Sequence, residues 1–125
     1  MKKQTILIVD DVDINREILC EMFHEYHTIQ AENGREAVDI IAADPDAISV
    51  VLLDVVMPVM NGVEVLEEMN RQGWMESIPV LLITGEATSQ IEREAYCLGT
   101  SDIIKKPFDA FIVKQRTKNV IELYY

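Results

Sequence analysis

Cysteine is scarce in this chain: two among 125 residues, Cys20 and Cys97, far apart and without the spacing of a zinc or redox motif. Neither a disulfide framework nor a metal-thiolate site is signalled, and both thiols are expected to be buried in a reducing compartment. Long apolar runs are also lacking. None exceeds four residues, and Lys2-Lys3 is followed only by Ile6 to Val9 before acids arrive, so neither a membrane span nor a signal peptide is indicated. Positive charge is short as well, with 11 Lys and Arg against 22 Asp and Glu and a net charge of −11. That field repels phosphate backbones and anionic lipids, which argues against direct nucleic-acid or membrane contact. The chain reads as a cytoplasmic protein. What base it has gathers late, since residues 105–125 hold five positive and two negative groups. Few Gly and Pro and no linker or repeat leave one compact domain, and 49% apolar residues suffice for its core.

Three four-residue apolar runs, Ile6 to Val9, Val50 to Leu53 and Val80 to Ile83, end abruptly at polar residues. Continuous rather than alternating apolarity is what strands of a parallel sheet need when helices cover both faces. Ile103-Ile104 is a shorter fourth run, and His27 to Ala31 alternates like a half-exposed edge strand. Helical spacing fills the gaps. Residues 12–26 place Ile14, Ile18, Leu19, Met22 and Phe23 on one face, with Asp13 as N-cap. Asn33-Gly34 and Asn61-Gly62 open two more helices, Ser89 to Glu92 reads as a capping box for a fourth, and Asp109 caps a fifth striped by Phe111, Ile112, Val120, Ile121 and Tyr124. Five strand-helix units with right-handed crossovers give an α/β fold, a doubly wound five-stranded parallel sheet.

Ligands of such sheets bind outside the carboxyl ends of the strands. The first polar residues there are Asp10 and Asp11, Asp54, Thr84 and Lys106. A lone Asp at a strand end is usually just solvated. Three carboxylates, a hydroxyl and an ammonium converging on one edge are different, because crowded carboxylates repel unless a hard cation sits among them. Oxygen donors point to Mg2+ and hence to metal-assisted phosphoryl chemistry.

The acidic pair Asp10-Asp11, the run Leu52-Leu53-Asp54-Val55-Val56-Met57-Pro58 with Asn61-Gly62 beyond it, Thr84-Gly85 and Lys106-Pro107-Phe108 resemble the receiver domain of bacterial two-component response regulators, over essentially residues 1–125. The resemblance implies a flavodoxin-like (βα)5 fold with strand order 2-1-3-4-5. It implies that Asp54 accepts a phosphoryl group from a phosphohistidine on a sensor histidine kinase or phosphotransfer protein. Asp10, Asp11, Asp54 and the backbone carbonyl of Val56 hold Mg2+ in that scheme, Lys106 pairs with the phosphoryl oxygens, and Thr84 donates its hydroxyl and moves inward. Gly85 leaves the donor an open path, and the Lys106-Pro107 peptide is cis. Val56 and Glu86 bear on the acyl phosphate's lifetime, in a direction the sequence leaves open. Many receivers carry a swinging aromatic at the place of Ile103, and a branched aliphatic has no ring to swing. Ile103 is expected instead in an apolar patch beside Lys105, Lys114 and Lys118, on a face formed by the fourth helix, fifth strand and fifth helix that suits docking to an acidic partner or a homodimer with a second receiver; the alternative is a packed strand residue with no signalling role.

Other readings compete. A haloacid-dehalogenase-like phosphatase also uses a strand-end Asp, but needs a second acid where Val56 stands. A flavodoxin-like FMN binder needs a Ser/Thr/Gly-rich phosphate loop after the first strand, which is absent. A degenerate receiver acting only as an interaction module would not need the full set of acids, hydroxyl and ammonium. His24 and His27 lack a third metal-binding partner and read as structural, Met57 and Met60 as filler, Trp74 as a cover for the third helix. The apolar stripe remains active at Ile121 and Tyr124, so the natural chain is expected to continue.

Overall fold

The computed structural model describes residues 5–85 and 88–124. Five strands, β1 (Thr5–Val9), β2 (His27–Ala31), β3 (Ile48–Leu53), β4 (Val80–Thr84) and β5 (Asp102–Lys105), form one parallel sheet in the order β2-β1-β3-β4-β5. Five helices cover it: α1 (Asp13–Met22), α2 (Gly34–Ala43), α3 (Gly62–Arg71), α4 (Ser89–Cys97) and α5 (Ala110–Tyr124). Short 3-10 turns at Pro45–Ala47 and Trp74–Glu76 lead into β3 and β4.

The sheet separates two cores because successive strand side chains point to opposite faces. Leu7, Val9, Val51, Leu53, Val80 and Leu82 pack with residues of α2, α3 and α4, whereas Ile6, Ile8, Val50, Leu52, Leu81 and Ile83 pack with residues of α1 and α5. Both faces of β1, β3 and β4 are buried. This is the physical reason their sequences run without polar interruption.

Helix starts follow local chemistry. Asn33 accepts from the Glu36 amide, and Asn61 with Glu64 forms a reciprocal capping box. Asp109 accepts from the amides of Phe111 and Ile112. Two caps differ from the expectation. At α1 the Asp10 carboxylate accepts the Val12 amide at 2.9 Å, so the chain turns early, Val12 becomes the N-cap, and Asp13 pairs with Arg16 instead. At α4 the cap is Thr88, bonded to the Ile91 amide, while Glu92 turns outward to Lys105 on β5.

Two helix faces also differ. Residues Arg16, Leu19 and Phe23 are buried on α1, whereas Ile14 and Ile18 are 62% and 46% exposed. With 3.6 residues per turn, Ile14 lies about 140° around the helix from Leu19 and Arg16 only about 60°. On α5, Val113, Thr117 and Ile121 face inward while Phe111 and Ile112 face solvent. Thr117 is satisfied there by donating to the Val113 carbonyl at 2.8 Å. The Tyr124 side chain lies outside the described set. Cys20 is half-buried and Cys97 exposed, against the expectation of two buried thiols. His24 is exposed and Met57 buried; Met60 and Trp74 pack against the α2–α4 core, in line with structural roles.

Between β3 and α3 the chain is strained at one point. Val59 adopts φ 69°, a left-handed conformation that a β-branched residue avoids. The Met60 amide donates back to the Pro58 carbonyl at 2.7 Å, closing a three-residue turn around it. The Met60 carbonyl in turn accepts the Gly34 amide at 3.0 Å, and a Cβ on Gly34 would sit 2.4 Å from that oxygen. The start of α2 therefore pins the loop.

Candidate functional site

Asp10 and Asp54 follow β1 and β3, neighbours whose last residues, Val9 and Leu53, are in register. The Asp54 amide donates to the Val9 carbonyl at 2.9 Å and the Asp10 amide to the Ala31 carbonyl at 3.2 Å, extending the ladder one step beyond the strands. Side-chain alternation then continues past the ends. Asp10, Asp54 and Lys106 fall on the parity of Ile8, Leu52 and Ile104, toward α1 and α5; Thr84 falls on that of Leu82.

The three acids meet. Carboxylate oxygens of Asp10, Asp11 and Asp54 all lie within 4.8 Å of one another, with Asp10 and Asp54 buried and Asp11 exposed. Lys106 Nζ donates to Asp10 Oδ2 at 2.9 Å and to Asp54 Oδ2 at 3.1 Å. The Val55 amide donates to Asp54 Oδ1 at 2.8 Å, so both oxygens of that carboxylate are held. Asp10 Oδ1 is taken by the Val12 amide, and Asn15 Nδ2 approaches Oδ2 at 3.4 Å.

One ammonium between two carboxylates sets the electrostatics. Burial pushes the Asp54 carboxyl above its ordinary range; the Lys106 charge pulls it back, and the Asp10 charge pushes it up again. Lys106 is raised as well. Burial works against its ammonium, but the hydrogen bond to Asp10 and the charges of Asp54 and Asp10 prevail. The two partners of one ion pair thus shift in the same direction because Lys106 has two anions for itself, while Asp54 shares its cation and faces a second anion.

The other expected residues are distributed around this centre. Thr84 is buried at the end of β4, and its carbonyl accepts the Lys106 amide at 2.9 Å. Among the described residues, a Cβ on Gly85 would meet nothing nearer than Lys106 Cβ at 4.0 Å. The Lys106-Pro107 peptide is cis. Val56 is 54% exposed beside Asp54. Ile103 is half-buried against the α2–α4 core, while Lys105 pairs with Glu92 and Lys114 with Glu25. Glu86 lies outside the described residues.

Two contributions to the site were not anticipated, one of them from Gly62, which the sequence showed only as part of the pair that opens the third helix. Gly62 opens α3 against the acceptor strand: its amide donates to the Val55 carbonyl at 2.8 Å, and a Cβ there would lie 2.4 Å from the Asp54 carbonyl oxygen. Arg16 is buried beneath the acids and donates to the Asp10 carbonyl at 2.6 Å. The i, i+3, i+7 spacing of Arg16, Leu19 and Phe23 was the available signal.

Residues 6–118 match the family model of the response regulator receiver domain. This chain belongs to that family. Sporulation initiation phosphotransferase F of Bacillus subtilis is 36% identical over 126 residues, covering 98% of this chain and 98% of that protein. A probable cyclic di-GMP phosphodiesterase of Vibrio cholerae is 37% identical over 113 residues, 90% of this chain, and the receiver spans only 25% of its length. A solved chemotaxis response regulator of Vibrio cholerae superposes with a TM-score of 0.85 at 26% identity, over 95% of this chain and 99% of that one. The expected five-stranded order and helix layers are thereby met, and the receiver is a signalling domain of two-component systems. Receivers interact with histidine kinases or phosphotransfer proteins. Among the described residues no helix is long and apolar enough to cross a membrane.

Proposed function

We propose that this receiver is a cytoplasmic phospho-acceptor in which Asp54 takes the phosphoryl group of a phosphohistidine on a sensor histidine kinase or phosphotransfer protein. The observation that carries the reading is the buried Asp54 carboxylate, held at both oxygens and destabilised as an anion next to Asp10 and Asp11. An oxygen of that carboxylate forms a bond to phosphorus as the phosphorus–nitrogen bond breaks, and the electron pair leaves with the imidazole. Lys106, already between the acids, follows the new charge onto the phosphoryl oxygens. Thr84 supplies a hydroxyl from the end of β4.

Among the described residues the donor set suits Mg2+: hard oxygens from three side chains within 4.8 Å, which outnumber the ammonium of Lys106 between them. Asp10, Asp11, Asp54 and the Val56 carbonyl would hold the ion. When bound, it supplies positive charge opposite the transferred group. The domain catalyses only its own phosphorylation and dephosphorylation, with Val56 and Glu86 tuning the second step. Ile103 contributes to readout without a ring swing, through a homodimer on the α4-β5-α5 face.

The test is incubation with a small acyl phosphate and Mg2+, followed by intact mass. One labile phosphate is expected on the wild type, none on Asp54→Ala and none in EDTA. Phosphate on Asp54→Ala refutes the acceptor assignment, and labelling at full rate in EDTA refutes the metal-assisted mechanism.

A further inference from the structure

We propose that Arg16 is a positioning residue that shapes the acidic corner for its cation, acting through the backbone of Asp10; the inference rests on the Mg2+ reading above. An arginine on the inner face of α1 is not what packing requires. Its neighbours on that stripe, Leu19 and Phe23, are aliphatic and aromatic, and Arg16 is only 8% exposed. Exchanging a buried charge network for an apolar side chain of similar volume is often neutral or stabilising. The guanidinium is therefore explained by what it touches.

It touches three separate segments. Nη1 donates to the Asp10 carbonyl at 2.6 Å, Nε to Gln30 Oε1 on β2 at 3.0 Å, and Nη2 to the Asp13 carboxylate in the first turn of α1. The planar fork is suited to several fixed acceptors at once. The Asp10 amide is already held by Ala31 of β2, so the residue is clamped at its amide and its carbonyl. The peptide plane between Asp10 and Asp11 is consequently fixed, since it has no soft rotation of its own. Asp11 is exposed, and that plane fixes its N–Cα bond, the base from which its side chain departs. Arg16 also matters to charge. Among the described residues, Asp10, Asp11, Asp13 and Asp54 against Arg16 and Lys106 leave the corner two negative charges in excess, the charge of one divalent ion.

Groups behind metal ligands typically influence affinity by about 10- to 100-fold. The experiment titrates Mg2+ into the 15N-labelled domain while following the Asp54 and Val55 amides, in wild type, Arg16→Met, Arg16→Lys and Leu19→Ala. Arg16→Met is expected to weaken Mg2+ about tenfold or more. Arg16→Lys keeps the charge but loses the fork, and is expected to remain severalfold weaker than wild type. Leu19→Ala, on the same helix face, is expected to lower the melting temperature and leave the Mg2+ midpoint in place. A wild-type midpoint in Arg16→Met overturns the proposal. So does full rescue by Arg16→Lys, which would reduce the role to charge, or a Leu19→Ala midpoint that moves as far as that of Arg16→Met, which would reduce it to stability. A wild-type domain whose amides ignore Mg2+ refutes the metal reading itself, a separate result.

Discussion

Replacing Val59 by glycine should stabilise this protein, although glycine is ordinarily the weaker residue. A non-glycine residue in the left-handed region costs about 1–2 kcal/mol, and a β-branched one stands at the upper end. Val59 is 77% exposed, so its side chain returns little by burial, about 0.5 kcal/mol. Glycine adds back roughly 0.5–1 kcal/mol through the greater freedom of the unfolded chain. With the strain at its upper end the terms leave a net gain of about 0.5–1 kcal/mol. Val56, in the same loop, provides the internal comparison: it is 54% exposed and is not among the positive-φ residues. Val56→Gly relieves nothing and loses about 1 kcal/mol of burial on top of the glycine penalty. The glycine penalty is common to both, so the two variants should differ by about 2.5 kcal/mol, which for a domain of this size corresponds to roughly 7–12 °C in melting temperature. Calorimetry in metal-free buffer measures it. Equal destabilisation by the two substitutions would refute the strain argument, because both then act only through chain entropy and lost contacts.

The remaining expectations concern the site and the misread helix. Asp54 has a raised pKa in the folded state, so the native protein holds its proton to higher pH than the unfolded chain, and stability falls as pH rises from about 4 through that value. Asp54→Asn should flatten the curve of urea midpoint against pH across that window, and an unchanged slope would contradict the electrostatic picture. Gly62→Ala forces a methyl to within 2.4 Å of the Asp54 carbonyl oxygen and should cost about 1–3 kcal/mol while slowing phosphate incorporation. Normal labelling by a fully stable Gly62→Ala would show that the approach is not tight. Leu19→Ala should cost about 2–5 kcal/mol and Ile14→Ala within about 0.5 kcal/mol, measured by urea unfolding. Similar losses would reinstate the other face of α1 as the buried one.

What the sequence revealed and what it concealed have different physical origins. The central strands were legible because burial on both faces forbids polar residues, and the acids were legible because a parallel sheet delivers the residue after each strand to one edge. Asn33 and Asn61 were legible as caps because their side chains bond amides only three residues away. The face of α1 was not. Ile14 with Ile18 and Leu19 with Phe23 are both i, i+4 apolar pairs, and only the sheet decides between them. Arg16 escaped notice for the same reason, since a charged residue is read as exposed unless its buried acceptors are known. Asp13 and Ser89 lost their capping roles to neighbours through contacts made elsewhere, Arg16 with Asp13 and Glu92 with Lys105.

The alternation that carries Asp10, Asp54 and Lys106 to one side of the sheet bears on which lengths of chain can drift. A single inserted or deleted residue between the irregular pairing at Thr5/Ile6 and Asp10 would turn the acid to the opposite layer, as would one within β3 before Asp54. The edge that holds the chemistry thus fixes the spacing of the segments that feed it to the residue. The opposite edge carries the turns around Pro45–Ala47 and Trp74–Glu76, and nothing there is counted in steps of two. Insertions should be accepted there and rejected inside the strands, so that length variation itself, scored in a library of one-residue insertions, traces where the domain keeps its register.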